Sequence, residues 1–384
     1  MITFDVHNTR VALAITLVIT ASFGGLLACA PQSPDTSPTL DDSDAPAINT
    51  ESLVPISFAT DHRSIASLTT SPLVPSLVVI SDRDNRIGLW SLESRRALWQ
   101  QVTHGGVPRS QTSMHASVFS PDGRLLAVAG DENSPFLTVL RVDSGRPAGP
   151  LPGAISASQR GYDAIAFSSD SRFILAARSG NAREIDVFDL ETGWLVDTWK
   201  DADPRNHAVG FSVDRDFVYA VSENSLTIWS AFEPDTPLRK ITGRIQPDGA
   251  LATITAAALT DDLRVAAIVI RGEPYTTAQV QIWDLERETL IRTYSADGLI
   301  MNVRVSGNSR FVDAFSLNGT WYRFEIAGPR REAQHATPSW HDPNSHAMGG
   351  QKPPIDFTGD GAFLLTGLSV SGVVKLWPAP AADH

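Results

Sequence analysis

Three histidines and an aspartate fall within twelve residues of one another near the end of this 384-residue chain: His335, His341, Asp342 and His346. Imidazole and carboxylate are ligands for zinc and copper. Their spacing here matches no familiar ligand signature, however, and residues 334–354 form a polar stretch broken by proline and glycine in which surface histidines are ordinary. No metal or cofactor is assigned to them. Trp340, in the same stretch, has no repeat-based reason to be buried and is the better candidate for touching a partner. Catalytic motifs are otherwise thin. There is no glycine-rich phosphate loop, no His-Glu-x-x-His and no paired Cys-x-x-Cys. The segment Gly367–Gly372 has the wrong glycine spacing for a nucleophile elbow and joins two strands rather than a strand and a helix.

Strands must position these side chains. Between residues 60 and 377 the chain repeats one phrase seven times: an apolar strand, a tight turn marked by Ser or Thr and Asp, a second apolar strand, and a third ending in a bulky aromatic or leucine. The turn reads Phe119-Ser-Pro-Asp-Gly123, Phe167-Ser-Ser-Asp-Ser171, Phe211-Ser-Val-Asp214, Leu259-Thr-Asp-Asp262, Val305-Ser-Gly-Asn308 and Phe357-Thr-Gly-Asp-Gly361, with a longer variant near Thr69 to Pro75. Third strands close on Trp90, Leu140, Phe188, Trp229, Trp283, Phe324 and Trp377, spaced 41 to 54 residues apart. That period suits a four-stranded propeller blade with lengthened loops. Second strands such as Leu125–Ala129 and Val265–Ile270 are continuously apolar, as in a sheet covered on both faces. The anchor tryptophans Trp90, Trp229, Trp283 and Trp377 are therefore assigned to packing between blades.

These phrases resemble WD40 repeats over nearly all of residues 51–378, best at Ile282-Trp283-Asp284-Leu285 and Val187-Phe188-Asp189-Leu190. The resemblance implies an all-β, seven-bladed β-propeller of four-stranded antiparallel blades. The Gly-His pair of that family is absent, and the Asp six residues before the anchor Trp is present as Asp84. An open ring would expose an unpaired strand edge. Leu53–Ala59 is an orphan strand, and the tail 379–384 is too short to supply one, so the N-terminal strand is expected to complete the last blade, with Pro55 tolerated at its outer edge.

The N-terminus carries a second signal. Arg10 precedes an uncharged apolar run from Val11 to Ala28, followed by Cys29, the sole cysteine. This is the form of a secretory signal, and Leu26-Leu27-Ala28-Cys29 resembles a bacterial lipobox. The resemblance implies a signal peptide over 1–28, lipidation of Cys29, and a membrane anchor of two or three acyl chains, where one would be marginal. A plain transmembrane anchor is the other reading of eighteen apolar residues. Residues 29–50, rich in Pro, Ser, Thr and Asp, read as a disordered tether. The expected location is the bacterial cell envelope, on the outer membrane or the outer face of the cytoplasmic membrane, with the propeller exported.

The net charge of −12 with no basic cluster argues against nucleic acid, whose phosphates require concentrated Lys and Arg, and against a protein that embraces an anionic bilayer. In WD40-like propellers one rim gathers the loops from fourth to first strands and from second to third. Here that rim receives the long loops His104–Met114, Asp131–Pro135, Gly272–Ala278 and Gln334–Pro354. Long loops on a rigid scaffold concentrate binding residues. The candidates are Arg109, His115, Glu132, Arg271, Glu273, Tyr275, His335, Trp340, His341, Asp342 and His346, with Arg178 and Arg183 nearby. Mixed charge with aromatics suits a protein partner. The sequence thus predicts a membrane-tethered, non-catalytic interaction scaffold with a protein partner in the envelope. Two alternatives stay open. One is a propeller enzyme resembling the bacterial lactonases, for which Asp84, Asp131, His207 and Glu223 are the channel-mouth candidates. The other is a ligand-sensing envelope lipoprotein.

Overall fold

The computed structural model describes residues 56–62, 65–82, 86–102, 114–130, 137–148, 161–200, 203, 206, 208–212, 214, 216–231, 233, 236–242, 253–260, 262–271, 277–306, 309–316, 320–328, 331–335, 355–358, 362–367 and 372–378, with backbone alone at 114, 115, 301 and 331–335. All lie in one compact unit, Ser43–His384. They form seven antiparallel sheets. After β1 (Ile56–Ala59), the first blade is β2 (Ile65–Thr70), β3 (Leu77–Asp82), β4 (Arg86–Ser91) and β5 (Arg96–Val102). The second is β6 (Met114–Phe119), β7 (Leu125–Gly130) and β8 (Leu137–Arg141), and the third β9 (Tyr162–Phe167), β10 (Phe173–Arg178), β11 (Ile185–Asp189) and β12 (Trp194–Trp199). The fourth is β13 (Ala208–Phe211), β14 (Phe217–Val221), β15 (Ser225–Ser230) and β16 (Pro237–Thr242). The fifth is β17 (Ile254–Leu259), β18 (Val265–Arg271), β19 (Thr277–Asp284) and β20 (Thr289–Asp297). The sixth is β21 (Ile300–Val305), β22 (Phe311–Ser316), β23 (Thr320–Glu325) and β24 (Arg331–His335), and the seventh holds β25 (Ile355–Phe357), β26 (Phe363–Gly367) and β27 (Val373–Pro378). In the second blade, residues after β8 turn back into the fourth position through a Leu140–Pro147 bridge and an Ala148 N–H donated to Val139 O at 2.8 Å.

The turn between first and second strands owes its shape to its Ser or Thr. The hydroxyl of Ser120, Ser168 or Thr260 donates to the Asp two residues on, at 2.5, 2.6 and 2.7 Å, and accepts the N–H that opens the next strand, at 2.9 to 3.0 Å. Ser212 and Asp214 do the same. These are local side-chain substitutes for backbone bonds that a tight turn cannot otherwise make. Bonds from Ser212 and Thr260 hold Asp214 and Asp262 below the ordinary carboxylate value. At Asp122 burial pushes upward, but the bonds from Ser120 and the Arg124 N–H prevail.

Packing is between blades. Among the described residues seven apolar clusters form, one at each junction of neighbouring blades. Trp90, Trp229 and Trp377 are buried as expected, whereas Trp283 is only partly buried, its indole Nε1 turned to Gln281 Oε1 at 3.1 Å. Second-strand runs such as Leu126–Ala129 are inaccessible on both faces.

Closure of the ring follows the sequence expectation, with β1 beginning at Ile56; Leu53–Pro55 lie outside the described residues. Strand β1 pairs antiparallel with β27, Ile56 opposite Leu376 and Ala59 opposite Val373. Beyond it, Thr60 donates its N–H and hydroxyl to Gly372 O at 2.8 and 2.7 Å. An inner clasp joins the same two blades: Asp356 on β25 accepts from the Thr70 N–H at 2.8 Å and its hydroxyl at 3.0 Å. Outer and inner clasps together leave the first blade held to the seventh at both ends of its width.

Candidate functional site

The strand directions sort every loop to one of two rims. First and third strands run downward, second and fourth upward, so the upper rim gathers the second-to-third turns and the fourth-to-first connections. Three predicted contact residues sit there in the described backbone. Arg271 ends β18, its N–H donated to Thr253 O at 3.0 Å and its Nη2 to Thr253 Oγ1 at 3.5 Å. His115 lies at the start of β6, in the irregularity between Met114 and Ala116. His335 ends β24 opposite Thr320. These three belong to blades five, two and six, so the fold brings them to one rim without making them neighbours. Arg109, Glu132, Glu273, Tyr275, Trp340, His341, Asp342 and His346 lie outside the described residues, as do Cys29, Asp84, Asp131 and His207. Glu223 is exposed on the same rim, and its carbonyl accepts the Ile254 N–H at 2.8 Å, tying blade four to blade five.

Beneath this rim lies a layer of buried ionic groups. In the first blade His62 Nδ1 meets Asp82 Oδ2 at 2.9 Å, both side chains 1% exposed, and Asp82 Oδ1 accepts the Arg86 N–H at 2.9 Å. The His62 ring tilts against Trp90 with centroids 6.2 Å apart. In the third blade the wholly buried Asp186 receives Arg178 Nη2 and Nε at 2.8 and 2.9 Å, Tyr162 OH at 3.0 Å and Thr198 Oγ1 at 2.9 Å. Burial, reinforced by the charge and hydrogen bond of Asp186, pushes the Tyr162 phenol far above its ordinary value. Between blades three and four, Asp203 accepts Lys240 Nζ at 3.0 Å and the Ser225 hydroxyl, with Arg183 Nη2 at 3.6 Å. Burial works to raise the Asp203 pKa; Ser225 and Lys240 outweigh it and hold the carboxyl below its usual range. In the sixth blade Asp313 is gripped by Arg323 at 2.7 and 3.1 Å.

A carboxylate surrounded by donors on every side is a clamp between strands. Removing one member of such a pair strands a buried charge, so the arrangement favours rigidity over reactivity. Arg178, at the upper end of β10, is thereby tied into the blade with its side chain 17% exposed, while Arg183 keeps its side chain 58% exposed. The His62–Asp82 pair escaped the sequence reading, which took Asp84 as the repeat's aspartate. The available signal was a histidine three residues ahead of the first blade's inner strand, where the repeat would carry one.

Rigid blades, clamped rim and self-stapled ring define a seven-bladed β-propeller. No protein-family model matches the chain, and no curated protein matches it. Among solved structures it is similar to a chain of Kuenenia stuttgartiensis hydrazine synthase, with 14% identity, a TM-score of 0.63, and 85% of this chain and 98% of that one covered. At that identity the likeness is one of fold.

Proposed function

We propose that this chain is a lipid-anchored, non-catalytic interaction scaffold of the bacterial cell envelope, a WD40-like propeller that presents its upper rim to a protein partner. The observation that carries the reading is the point where the chain enters the ring. Strand β1 runs upward from Ile56, opposite the lower end of β27. An anchor at Cys29 would therefore pull on the lower rim and leave the upper rim, with its long connections, facing away from the bilayer. A tether of roughly 25 residues has a root-mean-square reach of about 25–30 Å, comparable with a small domain, so it favours this orientation without fixing it. The mixed charge of the predicted contact set suits a polar protein surface.

The test is fractionation with intact-mass measurement of the mature protein. Membrane-bound material beginning at an acylated Cys29, and loss of both anchoring and processing in Cys29→Ala, supports the reading. A mature chain that retains residues 1–28 in the bilayer, or is released without lipid, refutes the anchor.

A further inference from the structure

Net charge is a sum over the whole chain, and the fold distributes it unevenly on the lower rim. Around blades three to five that rim exposes Asp170, Glu191, Asp214, Asp216, Asp262 and Glu286, outnumbering Arg172, Arg264 and Arg287. Around blades one and two the balance reverses. Exposed there are Arg95, Arg96, Arg124, Arg141 and Arg146, against Glu93, Asp122 and Asp143. Arg141 and Arg146 face each other across a turn, joined by an Arg141 N–H to Arg146 O bond at 2.8 Å. Like charges held opposite one another destabilise a sheet, and among the described residues no acidic side chain forms an ion pair with either.

At the middle of this basic sector the chain exposes an apolar knuckle. The turn from β2 to β3 presents Pro72, Leu73 and Val74 outward, with Leu73 59% and Val74 43% exposed. The knuckle is built rather than frayed: Ser71 N–H bonds Leu77 O at 3.0 Å, Leu77 N–H bonds Val74 O at 2.9 Å, and Leu92 N–H bonds Ser76 O at 2.7 Å. It is continuous with the arginines. A side-chain carbon at Gly123 would lie 3.3 Å from Leu73 Cδ1, Arg124 follows Gly123 and accepts at its carbonyl the Val142 N–H at 2.9 Å, and Leu92 opens the turn that carries Arg95 and Arg96. The next blade round the ring is the seventh, where the N-terminal segment enters beside Ile56, itself 43% exposed.

We propose that this sector of the lower rim seats on the surface of an anionic phospholipid bilayer, the Leu73–Val74 knuckle entering the headgroup boundary and the flanking arginines facing lipid phosphates. Apolar side chains ringed by cations are the combination that binds such an interface. The acidic sector on the opposite side is repelled by the same surface, so the ring docks tilted, with blades seven, one and two nearest the lipid. This extends the membrane-tethered reading above and makes a second contact beside the acyl chains.

The ring closes with its own strands, so residues 43–384 can be tested without the N-terminal segment, and failure of this proposal is then separate from failure of lipidation. The assay is co-sedimentation with vesicles of pure phosphatidylcholine or with 40% phosphatidylglycerol, at low and high salt. Expected is binding to the anionic vesicles that weakens with salt and falls at least fivefold in Leu73→Ser/Val74→Ser and in Arg141→Glu/Arg146→Glu, both of which alter exposed side chains and should leave the melting temperature unchanged. Absence of binding, equal binding by both variants, or complete displacement by millimolar glycerol phosphate, which would mark a soluble-anion site, overturns the proposal.

Discussion

Gly372 is the point at which closure of the ring is most exposed to a single substitution. Its φ is +64°, a side-chain carbon built there would stand 1.8 Å from His62 O and 3.1 Å from Thr60 O, and its own carbonyl receives both Thr60 bonds. In Gly372→Ala the left-handed backbone costs about 1–2 kcal/mol. The clash is with backbone, so the strand must move, and losing the two Thr60 bonds costs about 1 kcal/mol each. The sum is about 3–4 kcal/mol. For a ring of roughly 320 residues with an unfolding entropy near 2.1 cal/mol/K per residue, that is a fall in Tm of about 4–6 °C. Gly123→Ala is the control: its φ is +68°, but the added carbon meets only the exposed Leu73 side chain at 3.3 Å, so the backbone cost alone should appear, about 1.5–3 °C. Thermal unfolding followed by circular dichroism reads both, and limited proteolysis should show the segment before Ile65 cut faster only in Gly372→Ala. Equal Tm shifts for the two variants, or no change in cleavage near β1, would refute the claim that this staple holds the ring.

Other consequences can be checked on the same material. Asp313→Ala removes the buried carboxylate that grips Arg323, for a loss of about 3–5 kcal/mol in urea unfolding; Arg172→Ala, whose side chain is 47% exposed, should cost under about 1 kcal/mol. Acid unfolding has two opposing parts. The lowered pKa values of Asp203, Asp214 and Asp262 give stability that is full above the unfolded carboxylate value near pH 4 and disappears as pH falls through their folded values. Asp356 is raised, by burial first, against the opposing bonds from Thr70 and Phe357. The folded state therefore binds the proton more tightly, and stability declines as pH climbs from about 4 to the folded value. Asp356→Asn should remove that decline, and an unchanged pH profile would show the carboxyl is not titrating in the clasp. Glu288 adopts φ +54° in an exposed turn, so Glu288→Gly should raise stability by about 0.5–1 kcal/mol, and a decrease would mean its weak contact with Arg239 matters more than backbone strain.

The blades were legible because their turns are made by local chemistry. A hydroxyl and a carboxylate two residues apart, as in Ser168 and Asp170, form the same bonds wherever they occur, and each such turn is followed by a bulky buried anchor such as Trp229 or Trp377 at the end of a third strand. Closure was legible because an orphan strand must find an edge. The buried pairs were not legible, since they depend on register and three-dimensional neighbourhood: Asp313 and Arg323 are ten residues apart but directly opposed across β22 and β23. His62 reaches Asp82 only because the closing strand delivers it to the rim of the first blade. The lower rim's charge asymmetry was hidden for the same reason, because it is created by bringing Arg95, Arg124 and Arg146 onto one side of a ring whose total charge is −12. Of the candidate contact set, Arg271, His115 and His335 fall among the described residues, at strand ends on the upper rim.

The central claim, that the upper rim faces a protein partner while the lower rim faces the membrane, is tested most directly by photocrosslinking in intact cells. A benzoylphenylalanine replaces Arg271 on the upper rim or Arg146 on the lower. One near-stoichiometric protein adduct is expected from position 271 and none from position 146. A protein adduct from position 146 with nothing at 271 would contradict it.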